Sequence, residues 1–248
     1  MIAGRIKCKL ILSAKVRMWI KGLIKTSVVD YPGKITTVVF VGGCNFRCPY
    51  CHNADLVLRP ESLPDIEVRE ILRLLAERKG FVDGVVITGG EPTLQTDLAD
   101  FIRELKVQGL AVKLDTNGYR PQVLQRLLQE GLLDYVAMDV KGSLKKYPLV
   151  AGRRIDTKRI EDSIQLILSS EIEYEFRTTV VPGMVKVEDV DAIAQLIAGA
   201  RRYYLQQFRA SGVLTPQYAA VTPYPVAMLK EMAHAAQKWV ADVGIRGI

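Results

Sequence analysis

Three of the four cysteines in this 248-residue chain, Cys44, Cys48 and Cys51, fall within eight positions of the run VGGCNFRCPYCHN. Sulfur gathered this way can form disulfides, hold zinc or hold an iron–sulfur cluster. Three clustered thiols cannot pair completely, and disulfides are rare in a reducing compartment. The fourth cysteine, Cys8, stands far from the group. Structural zinc takes four ligands, usually with a second knuckle at a distance. The same-loop candidate for a fourth ligand, His52, adjoins Cys51, and adjacent residues rarely close one tetrahedron without strain. The spacing Cys-x3-Cys-x2-Cys suits three corners of a 4Fe–4S cluster and leaves one iron without a protein ligand. An open corner points to a substrate or cofactor that binds the iron.

Other chemistry-bearing residues recur just after runs that read as strands. Gly89-Gly90-Glu91-Pro92 follows GVVIT, Asp115-Thr116-Asn117-Gly118 closes AVKLD, and Asp139-Val140-Lys141 closes YVAMD. Glycines without side chains let the backbone approach a ligand closely; a plain turn closed by proline reads equally well. Asp115 can cap its turn, and Asp139 can pair with Lys141. Arg177 follows the acidic run EIEYEF, and it can either neutralise Glu173 or Glu175 or offer a two-pronged donor to a carboxylate. With only two histidines, His52 and His234, ordinary acid–base catalysis is poorly supplied. No Ser/His/Asp arrangement or phosphate-cradling loop stands out.

The elements that must position these residues alternate. Strands are expected at 34–41, 84–88, 111–115, 135–139, 173–181 and 203–208. Helices are expected at 66–77, 97–107, 121–130, 156–168, 187–198 and 225–243, the last closing the chain. Six strand–helix units imply a parallel sheet, and they fall short of the eight in a closed barrel. The expectation is an α/β partial (β/α)6 barrel with outer helices, a doubly wound sheet being the structural rival. In parallel barrels the loops at the carboxyl ends of strands converge on one face, so four loops would share a pocket. No repeat, linker or domain boundary is evident, and residues 18–248 read as one domain.

Composition limits the alternatives. Hydrophobic residues make up 49% of the chain, enough for a sizeable core, and no apolar run approaches a membrane span. Arg5, Lys7, Lys9, Lys15 and Arg17 supply five of the net +7, leaving +2 for residues 18–248, so nucleic acid is not an expected partner. Residues 1–17 are expected to be a dispensable basic extension with Met18 as an alternative start. The short apolar patch LIL does not make a secretory leader, and a cytoplasmic location is expected.

Taken together, the motifs resemble the radical S-adenosylmethionine (SAM) superfamily. CNFRCPYC matches its cluster motif, with Tyr50 as the aromatic residue before the third cysteine, and GGEP at 89–92 matches a second motif. CHN, DTNG and DVK look like the glycyl-radical-enzyme activases, and WIKG…DYPGK resembles those serving anaerobic ribonucleoside-triphosphate reductase. The resemblance covers roughly residues 18–210. It implies a 4Fe–4S cluster on Cys44, Cys48 and Cys51, with SAM on the fourth iron, cleaved reductively to a 5′-deoxyadenosyl radical. That radical would take a hydrogen atom from a glycine of the partner enzyme, with flavodoxin or ferredoxin as reductant.

The resemblance also implies roles for single residues. Glu91 would face the SAM amino group, beside Gly89 and Gly90. Tyr50 and His52 would flank adenine or cluster. Asp115, Asn117, Asp139, the Val140 backbone and Lys141 would contact SAM, and Arg177 would balance its carboxylate. Activases often carry Pro-aromatic-His on the sixth strand, where this chain reads Gln207-Phe208-Arg209, so that role passes to Arg209. A radical SAM enzyme acting on a small molecule is the alternative within the superfamily. A non-catalytic metal-binding or electron-transfer module is the alternative outside it.

Overall fold

The computed structural model describes residues 16–248. Most of the expected 1–17 extension, Cys8 included, lies outside the described residues. One eight-stranded sheet runs in sequential order, β1 (Ile20–Ser27), β2 (Thr36–Val41), β3 (Gly84–Gly89), β4 (Ala111–Thr116), β5 (Tyr135–Asp139), β6 (Glu173–Val180), β7 (Arg202–Gln207) and β8 (Asp242–Arg246). β1 is antiparallel to β2, and every later neighbour is parallel. Each strand from β2 to β7 is followed by helix: α1 (Ala54–Leu58) and α2 (Val68–Glu77), α3 (Leu98–Val107), α4 (Pro121–Gln129), α5 (Tyr147–Val150) and α6 (Lys158–Leu168), α7 (Val187–Leu196), and α8 (Val226–Ala236). These are the six expected strand–helix units.

Alternation along the strands sorts residues between two faces. The outer face, with Val39, Val41, Val85, Ile87, Val112 and Leu114, packs under helical side chains such as Ile71, Leu75, Phe101 and Leu105. Each such side chain, fully buried, contributes about 1.5–3 kcal/mol. The inner face holds a small apolar group of Tyr31, Val38, Val86, Tyr135 and Ala137, and beyond it the charged residues of β4 to β6. Flat, the strands β2 to β7 would span roughly 24 Å at the usual sheet spacing. Residues of β3 through β7 nevertheless line one small cavity, so the sheet is curled. Among the described residues no pairing joins β8 back to β1, and the barrel stays open.

Two strands depart from expectation. β1 has irregular register against β2 on both sides of Gly22–Ile24, and this breaks the alternation that marks a strand. The expected helix to residue 243 ends at Ala236, and β8 follows. Trp239 turns its indole to Asp191 and its carbonyl to the Gly199 amide, bonds that a continuing helix would not make.

Candidate functional site

The loop after β2 carries the three cysteines and is held by the loops that follow four other strands. From the β3 side, the Gly90 amide donates to the Val41 carbonyl at 2.8 Å and the Glu91 amide to the Gly43 carbonyl at 2.8 Å. Asn53 Nδ2 returns to the Gly89 carbonyl at 2.7 Å. From the β4 side, Asn117 Nδ2 donates to Asn45 Oδ1 at 2.7 Å and lies 3.9 Å from the Cys44 sulfur. After β5, the Ala151 carbonyl accepts from the Arg47 amide, and Arg153 reaches the Asn45 carbonyl at 2.6 Å. After β7, the Leu214 and Thr215 amides donate to the Cys51 and Pro49 carbonyls at 2.9 Å each. The loop thus ties the segment after β2 to those after β3, β4, β5 and β7.

These loops enclose a cavity of about 240 Å³. Of the fifteen residues singled out from sequence, thirteen line it: Cys44, Cys48, Tyr50, Cys51, His52, Gly89, Gly90, Glu91, Asp115, Asn117, Asp139, Lys141 and Arg177. Val140 does not. It is fully buried, its amide donates to the Arg177 carbonyl, and its carbonyl accepts from Thr178 Oγ1 at 2.6 Å, so both backbone groups serve the sheet. Arg209 does not either. β7 ends at Gln207, Phe208 is buried against His52, and Arg209 beyond it is exposed; Gln206 lines the cavity from this strand instead.

Several of these residues also have partners within the protein. The glycines at 89 and 90 are needed for chain-to-chain contact: a Cβ on Gly90 would lie 1.9 Å from the Gly43 carbonyl oxygen, and one on Gly89 2.6 Å from the Val41 nitrogen. Gly89 also has φ +111°, a conformation side chains resist. Glu91 is 1% exposed, and its carboxylate accepts from the Thr93 amide and hydroxyl, Thr116 Oγ1 and the Asn117 amide. It is a bracket between the β3 and β4 loops. Arg177 keeps a long ion pair with Glu175, one of the two acids expected, but its closer partners are two aspartates. Its Nε meets Asp139 Oδ1 at 2.8 Å and its Nη1 meets Asp115 Oδ2 at 3.1 Å, while Glu175 Oε1 stands at 3.9 Å and Glu173 pairs with Arg201 and Arg202. Asp139 also takes Lys141 Nζ at 2.9 Å, and Lys113 reaches Asp115.

Charge sets the protonation of this lining. Burial alone would raise Asp139, but Arg177 and Lys141 outweigh it and hold the carboxyl well below its usual range. Asp115 is held low against burial by Arg177 and Lys113. Glu91 goes the other way, raised by burial despite its hydrogen bonds. Burial pushes the Cys44 thiol up to about 12, with Glu91 adding to the rise, and the Cys48 thiol up to about 11. Both are neutral thiols at pH 7 until cationic charge compensates them, as metal coordination does.

All three cysteines are free. Among the described residues no three histidine, cysteine or acidic side chains gather tightly enough for a single metal ion. A cluster that brings its own bridging sulfides asks for a wider spread, and three thiols around one cavity fit it. Tyr50 adds a second sign of fit: its hydroxyl is buried at the cavity and has no hydrogen-bond partner, a deficit that a bound ligand would relieve. His52 donates from Nδ1 to the Ser211 carbonyl at 3.0 Å, leaving Nε2 unengaged by that bond.

Comparison with known proteins agrees with this geometry. The profile of the radical SAM superfamily matches residues 38–197, well over half of the chain. The chain belongs to the radical SAM superfamily. A Methanocaldococcus jannaschii protein provisionally named a glycyl-radical enzyme activating enzyme is 36% identical over 92% of this radical SAM chain and 96% of its own length. The pyruvate formate-lyase-activating enzyme of Clostridium pasteurianum is 30% identical over 70% of this chain and 74% of its own. Among solved structures, QueE from Escherichia coli superposes with a TM-score of 0.54, at 14% identity, over 93% of this chain and 94% of QueE. Streptococcus suis SuiB with its precursor peptide gives a TM-score of 0.65, at 14% identity, over 85% of this chain and 48% of SuiB. The likenesses to QueE and SuiB establish the radical SAM fold. The family implies a 4Fe–4S cluster and SAM.

Several cavity residues were not picked out from sequence: Asn53, Thr88, Thr116, Thr179 and Gln206. A signal for Thr179 was present. Alternation through Glu173, Glu175, Arg177 and Thr179 puts all four on one face of β6, and the sequence shows it.

Proposed function

We propose that this chain is a glycyl-radical-enzyme activase whose cluster is held by Cys44, Cys48 and Cys51, with anaerobic ribonucleoside-triphosphate reductase as its partner. The observation that carries the reading is the single cavity in which three free thiols face the Asp115–Arg177–Asp139–Lys141 floor. The match to a relative named as an activase, over nearly the whole of both chains, supports the reaction class. Cys44, Cys48 and Cys51 would hold the cluster, which when bound would supply the electron for reductive cleavage of SAM and so the hydrogen-atom abstraction from glycine. The protein's residues do the rest. Asn117 and the Phe46 amide, 3.3 Å from the Cys44 sulfur, orient that ligand. Lys141 and Arg177 keep Asp139 and Asp115 ionised as acceptors for the cationic and hydroxyl groups of SAM. Tyr50 presents a free hydroxyl, and His52 closes the rim toward the segment after β7.

Among the described residues no helix is long and apolar enough to cross a membrane, in keeping with cytoplasmic action beside a flavodoxin or ferredoxin reductant. The test is anaerobic reconstitution with iron and sulfide, then dithionite and SAM. 5′-Deoxyadenosine is the expected product, and its absence rejects the radical reading. A glycyl-radical EPR signal on anaerobic ribonucleotide reductase then separates the activase from an enzyme acting on a small molecule.

A further inference from the structure

The floor of the cavity depends on a strand that the motifs do not reach. Glu175, 1% exposed, lies two residues before Arg177 on the same inner face of β6. Arg246 of β8 grips it with both prongs, Nη1 to Oε1 at 2.7 Å and Nη2 to Oε2 at 2.8 Å, and the Tyr135 hydroxyl donates to Oε2 at 2.9 Å. Arg177 Nη1 stands between two carboxylates, 3.1 Å from Asp115 and 3.9 Å from Glu175. Which one it serves decides the shape of the floor, because Asp115 lines the cavity and Glu175 does not.

We propose that Arg246 is a positioning residue for the SAM pocket: by satisfying Glu175 it leaves Arg177 to bridge Asp115 and Asp139. This rests on the reading of the cavity as the SAM site. Without Arg246, Glu175 is a buried carboxylate with one neutral donor, and its nearest cation is Arg177. A buried charge draws in whatever partner it can reach. Arg177 then swings toward Glu175, and Asp115 and Asp139, both ionised, lose the cation that holds them together. The placement of Arg246 is itself built. Its guanidinium stacks 3.6 Å from the centre of the Tyr204 ring, and Gly244 leaves room for that ring, since a Cβ there would lie 2.6 Å from Tyr204 Cε1. Arg246 does not line the cavity, so it acts through Glu175 and Arg177.

The experiment uses the full-length, anaerobically reconstituted protein. It reads SAM affinity by equilibrium dialysis, the change in the cluster EPR signal on adding SAM, iron content, and the steady-state kinetics of reductive SAM cleavage, resolved into KM and kcat. R246Q is expected to weaken SAM binding about tenfold and to raise KM alike, with turnover at saturation and iron content near wild type. R246K, which keeps the charge but not the fork, is expected to lose about threefold. E175Q/R246Q is expected to recover wild-type affinity, because the competing carboxylate is gone. R246Q that binds SAM as wild type does, or whose defect E175Q leaves uncorrected, overturns the proposal. If R246Q does not fold, R246K decides: weakened binding supports the proposal and wild-type binding overturns it. Wild-type protein that binds no SAM overturns the pocket reading itself, a result no variant is needed to see.

Discussion

On the β2–β3 side of the cavity, Gly90 lies so close to Gly43 that no side chain fits between them. On the β4–β6 side, Arg177 spans Asp115 and Asp139 through hydrogen-bonded charge. The first wall is made by backbone against backbone, with the cysteine loop and the GGEP turn sharing amides and carbonyls. The second is made by long side chains from neighbouring strands. A backbone contact tolerates no added atom but is indifferent to pH. A charged floor tolerates changes of shape but answers to neutralisation and acid.

The sharpest break of the comparison comes from the loop. Cys48→Ser is expected to abolish 5′-deoxyadenosine formation, exceeding the roughly 100-fold loss that follows when only a metal ligand's hydrogen-bond partners are disturbed. Product formation and iron content in reconstituted protein check it. On the floor, Arg177→Met leaves Asp115 and Asp139 as neighbouring half-buried carboxylates with only Lys113 and Lys141 to offset them, at a cost of about 3 kcal/mol in stability, the low end for a broken buried pair. Urea unfolding measures it, and a loss below about 1 kcal/mol would show the bridge to be weak.

Back on the loop side, Gly90→Ala is expected to cost about 3 kcal/mol, because the Gly43 carbonyl is backbone and cannot step aside. Gly109→Ala is the control. It has a positive φ of 80° but nothing within 4 Å of the new Cβ, so only the conformational cost of about 1 kcal/mol remains. The smallest effect concerns acid. Asp115, Asp139 and Glu175 are held low in the fold, so the stability they lend is present above the unfolded carboxylate range and is lost as pH falls below that range through their lowered folded values. Glu91, raised by burial, works with the opposite sign and offsets part of the loss. The urea midpoint should hold from pH 7 to about 5 and decline below about 4. Asp139→Asn should flatten that decline, whereas Gly90→Ala should leave its slope unchanged.

Much of this arrangement was legible before folding. Strands β2 to β7 and the helices α2, α3, α4, α6, α7 and α8 follow from apolar periodicity, the short α1 and α5 do not, and the cysteine, GGEP, DTNG and DVK loops fall at strand ends as a parallel barrel requires. β1 and β8 were not legible. Irregular register hides the first, and the second is five residues long, contains Gly244 and is defined by its pairing with β7. Arg177 shows the same limit at a single residue. Its place after an acidic strand suggested Glu173 or Glu175 as partner; Glu175 is met only at 3.9 Å, and the closer neighbours come from β4 and β5. Sequence spacing reports what is near along the chain, and the curl of the sheet decides what is near across it.

The sequence by itself determined which residue types the cavity gathers. Three thiols at this spacing, two glycines with an acid, and two aspartates closing strands are properties of residue type and local period, and no packing is needed to read them. Only the tertiary structure decided who holds whom. It turned Glu91 and the glycines inward as brackets between loops, removed Val140 and Arg209 from the cavity, and brought Arg246 from the last strand to Glu175. The reason is physical: a buried charge or an unfilled contact is settled by whatever lies within a few ångströms, and in a curled parallel sheet those neighbours come from strands far apart in the chain.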